Sequence, residues 1–133
     1  LSEHCVKQVR DKLVQWETPS EFIDPIIEKL LEQDYINEER FARAFVKDKF
    51  RFNHWGRIKI QTPLRALGIS SENIAKAMDE IDEDEYAEIL DEIVEKKRKT
   101  IKKGTDLEVR AKLLRHALSR GSEYNLIASK LNI

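Results

Sequence analysis

The sequence predicts an all-α fold of tandem three-helix repeats, and three observations carry that reading. Apolar residues recur at spacings of three and four, and nowhere alternate as a half-buried strand would require. Only four Gly and three Pro interrupt 133 residues dominated by strong helix formers. The hydrophobic pattern also returns with a period of about 50 residues, the signature of stacked helical units that bury one another's faces. An elongated, curved array follows as the expected architecture.

The elements can be taken in chain order. A first helix is expected from about Glu3 to Trp16, with Val6, Val9, Leu13 and Trp16 on one face. The second follows Thr18-Pro19-Ser20-Glu21, where Thr can cap, Pro can take the first helical position and Glu can complete a capping box. Its apolar set is Phe22, Ile23, Ile26, Ile27 and Leu30. Pro25 lies among these residues and should kink the helix or move its start to Asp24, because Pro lacks the interior donor. Asn37 is a good cap for a third helix that reaches about Phe52 through Phe41, Ala44 and Phe45.

A shift of 51 positions takes Val9 to Ile60, Leu13 to Leu64, Trp16 to Leu67, Ile23 to Ile74, Ile27 to Met78, Leu30 to Ile81 and Tyr35 to Tyr86 without a gap. A third copy starts where Val9-Arg10-Asp11-Lys12-Leu13 reappears as Val109-Arg110-Ala111-Lys112-Leu113. The expected division is therefore a three-helix repeat over 1–54, with its start clipped before Ser2-Glu3, a second over 55–104, and a two-helix partial repeat over 105–133. Gly68 suits a left-handed helix end, Ser70 or Ser71 a cap, and Thr105-Asp106-Leu107-Glu108 another capping box. A long helix is expected between Ile81 and Gly104, with Tyr86, Ile89, Leu90, Ile93, Val94 and Ile101 as its buried stripe. Gly121-Ser122 marks the last turn.

Charge excludes some classes of function and points to others. The formal net charge of −1 argues against a simple polycation. That total conceals segregation: residues 72–95 carry 11 acids and one Lys, while 96–133 carry 11 basic residues and three acids. Sign segregation suits one face for an anionic partner, and equally suits a long helix whose two ends complement its dipole. No apolar run approaches the roughly 20 residues of a transmembrane helix, and no secretory layout opens the chain, so a cytoplasmic setting is expected. Cys5, the single cysteine, can form neither an internal disulfide nor a zinc site, and no evident His or basic cluster beside it would activate a thiolate. No phosphate-binding glycine loop, nucleophile elbow or HExxH sequence is present, so no catalysis and no cofactor are expected.

Asp34-Tyr35-Ile36-Asn37-Glu38-Glu39-Arg40-Phe41-Ala42, then Gly56-Arg57-Ile58, then Leu64, Gly68 and Ile69, together resemble the RecX regulatory family. The core of the resemblance covers residues 30–70, and the three-helix periodicity extends it over nearly the whole chain. The family usually carries Gly and an acidic pair around the Tyr-hydrophobic element, where this chain has Asp34 and Asn37-Glu38. The resemblance implies a bacterial, cytoplasmic, non-enzymatic modulator that binds the RecA filament on single-stranded DNA and inhibits ATP hydrolysis and strand exchange or promotes disassembly. A monomer is expected. The residues by themselves also leave open an independent helix-turn-helix-like DNA binder and a helical-repeat protein adaptor.

Two groups of basic residues are candidates for contact with DNA phosphate or an acidic RecA surface. Turning about 100° per residue places Arg40, Arg43, Lys47 and Arg51 in one arc of the third helix, extended beyond it by Arg57 and Lys59. A solvated helix face is the ordinary alternative, and Arg40 also suits a structural ion pair. Lys96, Lys97, Arg98, Lys99, Lys102 and Lys103 form the denser cluster, six charges expected to spread over several faces of one helix and to attach electrostatically rather than read bases. Trp55, Phe50 and Phe52 invite a base-stacking reading beside Lys49 and Arg51, but core packing suits them better. His4, His54 and His116 are too scattered for a metal site. The acids from Asp79 to Glu95 lack the order of a calcium loop and read as solvated surface.

Overall fold

In the computed structural model, which describes residues 3–133, eight helices and no strand form among the described residues. They are α1 (Val6–Gln15), α2 (Ser20–Glu32), α3 (Glu38–Arg51), α4 (Arg57–Ala66), α5 (Ser71–Met78), α6 (Glu83–Thr100), α7 (Asp106–Ser119) and α8 (Tyr124–Leu131). The expected clipped start at Ser2 lies outside the described residues. No helix among these residues is long and apolar enough to cross a membrane.

Local chemistry sets most of the boundaries. The Asn37 side chain accepts the Arg40 N–H at 2.9 Å, Ser70 accepts that of Asn73 at 3.1 Å, and Thr105 accepts that of Glu108 at 3.2 Å. Asp82 caps α6 in the same way, through the Glu85 N–H at 2.9 Å. Gly68 takes φ +78, the left-handed conformation that ends α4.

Four expectations need correction. The first helix starts at Val6 and not at Glu3, because the Val6 N–H is taken up by the Glu38 carboxylate at 3.1 Å and the Cys5 N–H by the Gln8 side chain at 3.4 Å. Pro19, not Thr18, occupies the cap position of α2, and that helix continues through Pro25 from Ser20 instead of starting at Asp24. Packing of Ile23 and Ile27 on either side of Pro25 offsets the hydrogen bond the ring forgoes. The third helix ends at Arg51, within one residue of the expected end. The long helix stops at Thr100, whose hydroxyl donates to the Lys97 carbonyl at 2.7 Å, so Ile101, Lys102 and Lys103 lie beyond it. α4 likewise continues through Pro63.

The chain divides into two compact units, one comprising the residues up to Val46 with Pro63–Glu80, the other Lys47–Thr62 with Ile81–Ile133. In the first, α1 packs on α2, and Ile23, Ile27 and Ile36 are buried beneath Val6, Val9, Leu13 and Leu30. Cys5 is also buried, and desolvation pushes its thiol pKa up, the reverse of an activated nucleophile. In the second, α6 packs on α7 and α7 on α8 around Leu90, Val94, Leu113, Ala117, Ile127 and Leu131. Each fully buried Leu or Ile here contributes roughly 1.5–3 kcal/mol of transfer free energy, so this cluster fixes how the α6 and α7 faces meet.

A close approach shapes the second unit further. A Cβ on Gly56 would lie 2.2 Å from the carbonyl carbon of Gly121, and one on Gly121, at φ +95, would lie 2.3 Å from Lys59 Cβ. Absence of both side chains lets the Gly56 N–H reach the Arg120 carbonyl at 2.7 Å and the Ile58 N–H reach that of Gly121 at 3.0 Å. The start of α4 is thereby hydrogen-bonded onto the α7–α8 turn.

Candidate nucleic-acid interface

α7 carries two adjacent rows of side chains. Leu113 and Ala117, four apart, face the core of the second unit, while Lys112, Arg115, His116 and Ser119 follow the i, i+3, i+4, i+7 spacing of a neighbouring stripe. The end of α6 supplies Lys97 and Thr100, and the connection supplies Ile101, Lys102 and Lys103. Together these nine residues line a cleft of about 700 Å³.

The cleft's electrostatics set it apart. Among the described residues, Lys97, Lys102, Lys103, Lys112 and Arg115 have no ion-pair partner, and no carboxylate lines the cleft. Five like charges held around one concavity repel one another, and that repulsion is relieved only by an anion or by solvent and salt. His116 also responds to its surroundings. Its pKa is lowered, first by desolvation and then by the charges of Lys97 and Arg120. Such an arrangement can hold phosphate or carboxylate groups.

The other candidate residues are spent differently. Arg40 donates from Nε to Glu3 at 2.6 Å and from its two terminal nitrogens to the Asp34 carboxylate and carbonyl at 2.9 and 2.8 Å, fastening the α2–α3 turn. Asp34 is held below the usual carboxylate range by the Asn37 amide and then by Arg40. Arg43 bridges Glu39 and Glu80, both at 3.1 Å. Arg57, its side chain only 15% exposed, bonds Glu83 at 2.7 Å and Glu123 at 2.8 Å and lies 3.9 Å from the centre of the Tyr86 ring. Lys59 and Lys49 lie 4.8 and 5.1 Å from the Trp55 ring centre. Lys47 and Arg51 are exposed on α3, Lys96 and Lys99 are exposed on α6, and Arg98 pairs with Glu95 at 3.6 Å.

Of the twelve candidates, then, the cleft brings together Lys97, Lys102 and Lys103. Lys112 and Arg115 join them without having been singled out from the sequence, although their helical spacing beside Leu113 and Ala117 was a usable signal. Of the three aromatics, Phe50 is buried and stacked on Tyr86, as core packing requires, whereas Phe52 is 82% exposed. No group of three or more His, Cys, Asp or Glu among the described residues could hold a metal ion.

An all-helical chain with a cleft lined by cations that lack ion-pair partners among the described residues has the fold class of helical-repeat proteins. Residues 37–78, spanning α3, α4 and α5, match the family described as RecX, second three-helix domain. The chain is similar to the regulatory protein RecX of Clostridium perfringens, 31% identical over 90% of this chain and 56% of the relative, and to that of Clostridium beijerinckii, 35% identical over 86% and 54%. It therefore spans a little over half the length of these curated relatives. Its fold matches the crystal structure of RecX from Lactobacillus salivarius with a TM-score of 0.88 at 22% identity, over 98% of this chain and 85% of that one. The chain belongs to the RecX family of regulatory proteins.

Proposed function

We propose that this chain modulates the RecA recombinase by binding the RecA filament on single-stranded DNA, in the cytoplasm and without catalysis, and that it slows filament ATP hydrolysis and strand exchange. Membership in the RecX family supports the partner. The mode of binding rests on the cleft between α6 and α7, where five cations with no ion-pair partner among the described residues offer an electrostatic seat for a phosphate backbone or an acidic protein surface. A modulator must bind one filament state more tightly than another. The repeats over 1–54, 55–104 and 105–133 are the units through which we read the chain as repeating such contacts.

Binding measured against salt tests this reading. If about four of the cleft's cations neutralise phosphates, log affinity for single-stranded DNA falls against log salt with a slope of roughly −2.8. The proposal expects the RecA-coated strand to bind more tightly than the naked one. Equal affinity for both favours an independent DNA-binding protein, and a slope near zero on both removes the electrostatic account.

A further inference from the structure

His116 is the one member of the cleft's charged wall that is not cationic throughout the physiological range. It sits in the last turn of α7, where the helix dipole by itself favours a protonated imidazole. Desolvation and nearby positive charge overrule the dipole. Lys97 comes from α6, Lys102 and Lys103 from the connection, and Lys112, Arg115 and Arg120 from its own helix or the residue just beyond; α8, also packed on α7, contributes nothing to the lining. Desolvation, and then the charges of Lys97 and Arg120, hold the ring below its ordinary pKa.

A bound anion reverses the balance at that ring, because it supplies the counter-charge that the described residues of the cleft lack. We propose that the cleft binds phosphate groups with uptake of one proton by His116, so that acidification tightens the complex and the complex in turn raises the affinity of His116 for its proton. This rests on reading the cleft as a phosphate-binding face. The cleft's volume is in the range of small-ligand sites and accommodates more than one phosphate. Lys97, Lys102, Lys103 and Lys112 act as adaptable point charges, and Arg115 is the one group able to grip two phosphate oxygens at once. The recognised chemistry is a run of phosphates, whether the backbone of a polynucleotide or a free polyphosphate.

The sign follows from linkage. His116 has a lowered pKa in the free protein and a higher one in the complex, so affinity is greatest below the free value and declines as pH rises through the bound value. One proton limits the change to about tenfold per pH unit. The test is a titration with oligothymidylate bearing no terminal phosphate, since a phosphate monoester itself titrates near pH 6, with inorganic tripolyphosphate as competitor. Between pH 8 and pH 6 the unaltered chain should bind the oligonucleotide at least fivefold more tightly, the His116→Gln variant should bind with little pH dependence, and the His116 ring pKa followed by NMR should rise on binding. Displacement by tripolyphosphate supports phosphate binding from either source, and resistance to it supports the polynucleotide backbone. Binding that is flat with pH, or equally pH-dependent in His116→Gln, overturns the proton coupling while leaving the phosphate site standing. No binding of either probe overturns the phosphate reading as well.

Discussion

Replacing Tyr86 by Phe removes one oxygen that serves two partners. The hydroxyl donates to Glu123 and accepts the Arg57 N–H at 3.0 Å, in a site where the ring is buried. Leaving those groups unsatisfied should cost about 1–3 kcal/mol, read as a lower denaturant midpoint. The same hydroxyl gives an alkaline signature. Burial, and then the Glu123 hydrogen bond, push its pKa up to about 12, against about 10 in an unfolded chain. Between those values the unfolded chain has released a proton that the folded one keeps, so stability declines as pH rises through that window, and Tyr86→Phe should remove that decline. Tyr35 occupies the equivalent place in the hydrophobic repeat, yet is 54% exposed and stacks on His4 at 5.5 Å. The repeat pattern locates both tyrosines but is blind to what each meets, because burial depends on neighbours drawn from distant segments. The Gly56-Arg57 pair in the family resemblance gains a physical reading here: Gly56 permits a backbone contact, and Arg57 joins Glu83 and Glu123 beside the Tyr86 ring.

At the scale of elements, boundaries written in side-chain chemistry were legible. Asn37, Ser70, Thr105 and Gly68 each do what their residue types favour. Less legible were ends set by contacts remote in sequence, such as Glu38 taking up the first N–H of α1, and the helices that continue through Pro25 and Pro63. The cleft falls between these cases. Its α6 cations were visible as a run, but Lys102 and Lys103 had to leave the helix, and α7 had to pack on α6, before Lys112 and Arg115 could join them. Because the cleft cations repel one another, Lys112→Ala with Arg115→Ala should leave thermal stability unchanged or higher and abolish any stabilisation by added phosphate; a marked fall in Tm would argue that these side chains hold the fold. Gly56→Ala, by contrast, forces a methyl into the Gly121 backbone and should destabilise the chain by at least about 1–3 kcal/mol, seen as a lowered Tm while the helical circular dichroism of any remaining folded protein is unchanged.

For the whole molecule, fold class and family were readable from periodicity and a few motif residues, because a three-helix unit repeats its hydrophobic spacing whatever its surface does. The basic face was readable only in part. Arg40, Arg43 and Arg57 have the same charge as the cleft residues, and only their ion pairs with Glu3, Asp34, Glu39, Glu80, Glu83 and Glu123 separate structural cations from available ones. The near-neutral total charge is thus compatible with a locally strong anion-binding site. On the proposed function, this site lets the chain restrain RecA on DNA. The most direct measurement is RecA ATP hydrolysis on single-stranded DNA, with the unaltered chain and with a Lys97→Glu, Lys112→Glu, Arg115→Glu variant of matched stability. The unaltered chain should slow hydrolysis in a saturable way, and the variant should need at least tenfold more protein to do so. No slowing at saturation, or a variant as potent as the unaltered chain, would contradict it.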